Sequence, residues 1–263
     1  MKSKLKIIKK VPFKAPIMIV GWDWPDAGRA GVEVIEYIRK ELKAEKLAEI
    51  KAKDFASAPR STVERGVMTN MTFLENRFDY WIDKENKKEF IFFSSEQPAI
   101  HHIKYIDYIL EMAKISKVKI IYTVGGLNSN ITHNEESVVH SVVNDPSLKE
   151  DLKGYPIDNE LNYNGSTSMN GLLLWEAKEK KIKAVSLWAD VPYYISQLPS
   201  PLLEYSKAVF VLLKILRSIL DLPLDLSNLE TVIEFKKQEL DKIVEAAGNL
   251  IEKPAKEGEP TIH

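Results

Sequence analysis

The chain has 263 residues, 44% hydrophobic and 29% charged, proportions that exclude a disordered or low-complexity protein and fit one large domain or a domain with an appendage. Its 37 basic residues are balanced by 38 acidic ones, so a broad basic face for nucleic acid is not expected. The absence of cysteine excludes disulfides, thiolate metal sites, iron–sulfur clusters and cysteine nucleophiles.

Six lysines and no acid fall in residues 1–16, the pattern of a solvated edge strand or arm. No apolar signal segment and no membrane-spanning run is visible, so the expected location is the cytoplasm. Pro16 to Val20 then predicts a short buried strand ending at Gly21. Asp26 is placed to cap a helix starting near Ala27, with Val34, Ile35, Ile38 and Leu42 as its apolar stripe. Strand-like stretches follow at 46–55, 63–71, 78–83 and 89–94, and Phe90 to Phe93 is expected to be buried on both faces.

A second helix is predicted from Ala99 to Ser116, with Ile103, Ile106, Leu110 and Ala113 turned to the core. Val118 to Val124 is the next strand, ended by Gly125 and Gly126, and Ser137 to Val143 is extended within a less regular stretch. Met169 to Lys181 is helical, Lys183 to Trp188 is a strand, and Pro201 to Leu220 is a strongly apolar helix. A last helix, about 228–252, carries Leu229, Ile233, Leu240, Val244 and Ala247, a stripe able to pack on its own core or on a neighbouring subunit. The expected organisation is an α/β domain over 1–225, this helix over 226–252, and a mobile polar tail over 253–263.

Strands alternating with helices imply a largely parallel sheet. Its default sites are the loops at the carboxyl ends of the strands, here 21–28, 125–135 and 189–195. In the first, Gly21, Trp22, Asp23, Trp24, Asp26 and Gly28 precede Arg29. Free N–H groups at a helix start can hold an anion, which Asp23 and Asp26 oppose; a cap and a tight loop with packed tryptophans is the plainer reading. Gly125 and Gly126 suit a turn or a close backbone approach. Asn164 and Gly165, then Asn170 and Gly171, surround another helix start, and Asp190 and Tyr193 follow a later strand.

His133 and His140 are separated by seven residues, an odd number that puts them on opposite faces of a strand. No spacing supports a metal site, and neither a dinucleotide fingerprint, a P-loop nor a nucleophile elbow is present. No metal, cofactor or catalytic residue is therefore assigned, and the residues alone give no reaction.

Taken in order, the motifs resemble one family. The run Gly21 to Gly28 is similar to the N-terminal loop of the PAC2 family, the proteasome assembly chaperone 2-like proteins. Glu96-Gln97-Pro98 with the helix His102 to Leu110 resembles the next element, and Ile121 to Gly126 its strand ending in a double glycine. Asn162 to Leu174 resembles its Gly- and Ser-bearing helix start, and Ala184 to Tyr194 its following strand and Pro-x-Tyr loop. The resemblance spans about residues 15–220.

It implies a three-layer α/β/α sandwich similar to purine nucleoside phosphorylase, self-assembly into a homo-oligomer, and chaperone-like binding of proteasome α subunits without catalysis. The chain ends Pro260-Thr261-Ile262-His263, without the penultimate tyrosine by which some members dock to proteasomes, so docking through such a tail is not expected. The alternative is a small-molecule protein or enzyme, taking a nucleotide or phosphate ester in the three loops.

Overall fold

The computed structural model describes residues 5–23, 26–51, 55, 60–72, 76–198 and 202–247. Trp24 and the tail 253–263 lie outside the described residues. Four central strands are parallel: β2 (Ile17–Trp22), β7 (Lys88–Ser95), β8 (Ile120–Ser129) and β11 (Lys183–Pro192). Around them a nine-stranded sheet has the order β1-β3-β6-β7-β2-β8-β11-β9-β10. Antiparallel β6 (Asn76–Asp83), β3 (Glu45–Ile50) and β1 (Leu5–Ile7) extend one side. On the other, β9 (Val139–Val143) runs antiparallel to β11 and carries the two-residue β10 (Ile157–Asp158).

Helices cover both faces, because central parallel strands have no side to give to water. Met18, Ile19 and Val20, and Phe90 to Phe93, are all fully buried. On one face α1 (Ala30–Leu42) and α5 (Ser206–Leu220) enclose Ile19, Phe90, Phe92, Val124 and Leu187. On the other α2 (His102–Ile115) and α4 (Met169–Glu179) enclose Met18, Val20, Ile91 and Phe93. A short α3 (Ser147–Asp151) lies between β9 and β10 in the chain. The expected three-layer sandwich is what forms. Among the described residues no helix is long and apolar enough to cross a membrane.

α1 keeps its predicted stripe of Val34, Ile35, Ile38 and Leu42. Its Lys43 takes a left-handed conformation and returns its N–H to Arg39 and Lys40 carbonyls, which ends the helix. From the same helix Arg39 reaches Asp79 of β6, a carboxylate with no exposure, at 2.6 Å. Burying an unpaired charge there would cost several kcal/mol; Arg77 supplies the second oxygen's partner at 2.6 Å. The last helix, α6 (Ser227–Ala247), packs on α5, with Leu240 buried in the core and Leu229 against it.

Several expectations change. The stretch 63–71 is not one strand: Arg65 and Gly66, both at positive φ, turn the chain between β4 (Arg60–Glu64) and β5 (Val67–Thr72). Such a pair is what a tight hairpin turn requires. Ile103 of α2 faces outward, 58% exposed, while Tyr105, Ile106 and Ile109 face in. Gly125 and Gly126 do not end a strand, because β8 continues to Ser129 beside β11, which itself continues to Pro192.

The glycines are there for space. A Cβ on Gly126 would lie 2.0 Å from the Ala27 carbonyl oxygen, and one on Gly21 2.1 Å from that of Gly31. Backbone touches backbone, so no side chain can move aside. Gly126→Ala is expected to lose about 3 kcal/mol in urea unfolding, since overpacking against backbone is the severe case. Gly66→Ala, where nothing lies within 4 Å, should lose only about 1 kcal/mol from its left-handed backbone. Equal losses would show that the β2–α1 connection yields more readily than the geometry implies.

Candidate functional site

The carboxyl edge of the parallel strands gathers most of the polar groups singled out in the sequence. Asp26 is at its centre. Its carboxyl group accepts the N–H of Gly31 at 2.6 Å and that of Gly126 at 2.7 Å. Two N–H groups at this edge, one of them in the first turn of α1, are thus engaged within the chain. Burial pushes the Asp26 pKa up to about 8, against the pull of these two donors and with a further push from Asp23. Gly125 lies between Asp26 and Asn170: a Cβ there would be 2.7 Å from Asp26 Oδ1 and 3.0 Å from Asn170 Nδ2. Asn170 donates to the Val124 carbonyl at 3.4 Å, and its Oδ1 has no hydrogen-bond partner among the described residues.

Asp23 and Arg29 form a second group. The Arg29 Nη1 donates to both Asp23 oxygens at 2.7 and 2.9 Å, and Nη2 to Glu33 at 3.4 Å. Arg29 is held at φ 53, beside Gly28 at φ 62. Gly28 is pressed against Tyr205, whose Cβ lies 2.7 Å from where a glycine Cβ would be. Trp22 points the other way, into the α2 layer, edge-on to Phe93 at 5.8 Å.

Two histidine networks lie beyond what the sequence indicated. His140 of β9 contacts Asp158 of β10 through Nδ1 at 2.9 Å and Asp190 of β11 through Nε2 at 3.1 Å. Ser129 Oγ donates to the same Asp190 oxygen. Both ring nitrogens face carboxylates, so both must donate, and the imidazolium is favoured. Its pKa is raised, first by the Asp190 hydrogen bond and against the cost of burial. His133 is buried; its Nε2 donates to Asp241 of α6 at 2.8 Å and its Nδ1 faces the Tyr194 hydroxyl.

These pairs were invisible to spacing. His140 and Asp158 are 18 residues apart, His140 and Asp190 50, His133 and Asp241 108. The available signal was a histidine in a strand with acids in other strands, which says nothing until strand order is known. Among the described residues no group of three or more His, Cys, Asp or Glu has metal-holding geometry.

The remaining predicted residues do not converge. Asn164 and Gly165 are exposed in the loop before α4, with Gly165 against the Tyr163 ring. Gly171 gives its N–H to the Ser168 cap at 3.3 Å, and Tyr193 is 43% exposed on the turn after β11. On α6, Ile233 and Val244 are half-buried, whereas Leu240 and Leu229 are turned to the chain's own core. The Ala247 side chain lies outside the described residues.

His140 sets a pH dependence. Its folded pKa exceeds the unfolded 6.5, so its stabilisation is complete below the unfolded value and is lost as pH rises through the folded one. Asp26, raised to about 8, acts in the same direction, since the folded state holds a proton that the unfolded chain gives up above about pH 4. The urea midpoint should therefore fall from about pH 6 to pH 9, and fall less in His140→Asn. Equal slopes in the two proteins would remove His140 from this role.

Among comparisons with known proteins, the model of the PAC2 family matches residues 19–244. No curated protein matches the chain. A PAC2 family protein of Streptomyces avermitilis is similar in structure, with TM-score 0.76 and 24% identity, over 88% of this chain and 97% of that one. A proteasome-assembly chaperone homologue of Mycobacterium tuberculosis is similar with TM-score 0.74 and 19% identity, over 89% and 97%. So is PbaB of Pyrococcus furiosus, an archaeal proteasome activator, with TM-score 0.76 and 22% identity, over 92% and 99%. At these identities the structural likeness speaks for the fold.

Proposed function

The chain belongs to the PAC2 family, and from that premise we propose that it is a homo-oligomeric, proteasome-assembly-chaperone-like protein that binds proteasome subunits and carries out no catalysis. The observation that carries this reading is the family match over most of the chain, together with a common fold across the whole length of relatives described as a proteasome-assembly chaperone homologue and a proteasome activator. Fold alone does not fix function, so the character of the surface matters.

Two features support binding by surface contact. The polar groups at the carboxyl edge are largely spent on one another: Asp26 on Gly31 and Gly126, Asp23 on Arg29, Asp190 on His140 and Ser129. They hold elements in place and leave few donors for a phosphate or nucleotide, which weighs against the small-molecule alternative. Meanwhile large apolar side chains stand in solvent at separate places, among them Ile100, Ile103, Trp175 and Phe235. Aromatic and branched apolar groups of this kind anchor protein interfaces.

For the subunit contact we assign the outer face of α6, where Phe235 is 62% and Val232 40% exposed. Leu240 holds the inner face to the core and Lys236 ties the helix to the Glu204 carbonyl at 2.9 Å, so the outer face is presented on a fixed support.

Native mass spectrometry of the chain mixed with the proteasome α and β subunits of its own organism tests the proposal. A defined complex with α subunits is expected, and Phe235→Glu should weaken it at least tenfold without lowering the melting temperature. A chain that ignores both subunits at about 10 µM, well above typical specific affinities, would overturn the subunit-binding reading.

A further inference from the structure

A groove lies on the α4 side of β9 and β11. Val142 stands opposite Ser186 across the two strands, and Trp188, two residues on, shares their face. These three make the sheet side of the groove, and Leu174 of α4 with Leu161 and Tyr163 of the preceding loop make the other. It is open, has a volume of 250 Å³ and is lined by no charged side chain. The groove between α1 and α6, by contrast, is lined by Glu33, Glu36, Lys40, Glu204 and Lys236.

Two buried hydroxyls in this groove have a hydrogen to spare. Ser186 is 1% exposed, and its Oγ accepts from the Thr123 hydroxyl at 2.7 Å. Two hydroxyls bonded only to each other use one of their two hydrogens. Thr123 is fully buried away from the groove, so with Thr123 as donor the unused hydrogen belongs to Ser186. Ser168 also lines the groove and is 7% exposed. Its Oγ accepts the Gly171 N–H at 3.3 Å as the cap of α4. Among the described residues neither serine donates to an acceptor. The neighbouring hydroxyls are spent: Thr167 donates to the Ser168 carbonyl at 3.3 Å and Tyr163 to that of Ser166 at 2.6 Å. Buried donors without acceptors are costly, and native structures keep few of them.

The aromatic walls are held in place. The Trp188 indole rests on Gly125, where a Cβ would lie 3.0 Å from its Cζ3. Tyr163 is fixed by its bond to Ser166 and by Gly165, where a Cβ would lie 2.6 Å from the Tyr163 hydroxyl. Rings already immobilised lose little entropy when another ring packs on them.

We propose that this groove binds a neutral cyclic lactone or lactam, its carbonyl oxygen accepting the spare serine hydrogens and its ring lying against Trp188 and Tyr163. Each property of the ligand follows from one of the groove. With no charged side chain, an ionic ligand would give up water and gain no counter-charge. A pure hydrocarbon would seal two O–H donors away from any acceptor, whereas a carbonyl oxygen brings two lone pairs. The volume suits one bicyclic molecule of roughly 130 Å³ at interior packing density and is too small for a peptide strand with several side chains. The inference does not rest on subunit binding, and it assigns no reaction.

Coumarin, a neutral bicyclic lactone, and its lactam counterpart 2-quinolone are the probes, titrated against the full chain by ligand-observed NMR. Indole, of similar size with a donor and no acceptor, and the anion coumarin-3-carboxylate are the controls. The lactone and the lactam are expected to bind with Kd on the order of 1 mM or below, as befits molecules of this size, and both controls at least fivefold more weakly. Thr123→Val combined with Ser186→Ala removes the hydroxyl pair together, which leaves no orphan in the core. It should weaken coumarin about fivefold, the worth of one hydrogen bond, and leave indole and the melting temperature unchanged. Val142→Trp, at a position 37% exposed, should fill the groove and abolish binding of both probes. Absence of saturable binding by coumarin and 2-quinolone up to about 5 mM, above the expected Kd, would overturn the proposal. So would indole binding as well as coumarin, or coumarin binding undiminished in either variant.

Discussion

The carboxyl group of Asp26 joins the start of α1 to the middle of β8, where Gly126 lies one hundred residues beyond Asp26 in the chain. Much of the carboxyl edge is built on that join. It fixes where the first helix begins and lets the backbone of Ala27 lie directly on Gly126, where any side chain would intrude. It also places Gly28 and Arg29, both left-handed, so that Arg29 turns back to Asp23. A loop that resembles an anion cradle is instead closed by an acid of its own, kept partly protonated by burial. The group stays because two orphaned N–H donors in its place would cost about 1–3 kcal/mol each.

The same economy extends across the edge. His140 links the short strand β10 to β11 through two carboxylates, and His133 with Tyr194 fastens the last helix through Asp241. Lys207 caps the carbonyls of His133 and Glu135, fixing the segment that presents His133 to α6. These contacts lie in the place where an α/β enzyme would hold its substrate. Here they tie elements of the chain to one another, and large apolar side chains stand exposed away from them, Phe235 on α6 among them.

The elements came through well where one face or two were continuously apolar. Met18 to Val20 and Phe90 to Phe93 have no polar side, and only a central strand can bury such a run. The α1 stripe was equally plain. Errors arose where local chemistry allowed two outcomes. A double glycine ends a strand or lets another backbone approach, and only the arrival of Ala27 decides. Arg65-Gly66 within an apparently continuous strand became a turn because both residues adopt positive φ, a choice that Gly favours and Arg does not announce. The phase of α2 is not fixed by its pattern, since its apolar residues are numerous enough to permit more than one buried face, and packing turns Ile103 outward.

The sequence by itself determined the class of architecture, the buried strands, the inward stripe of α1 and the exclusion of thiol chemistry, and its ordered motifs indicated the family. Each of these depends on contacts within one element or on residue type, which linear order records directly. The tertiary structure alone decided which polar groups meet. Asp26 reaches Gly126, and His140 reaches Asp158 and Asp190, only because the sheet order sets β2 beside β8 and β9 between β11 and β10, and His133 reaches Asp241 only because α6 packs back on the core. Hydrogen bonds act over about 3 Å. Partners so close in space and so distant in sequence are fixed by packing, and packing is settled only when the whole core closes.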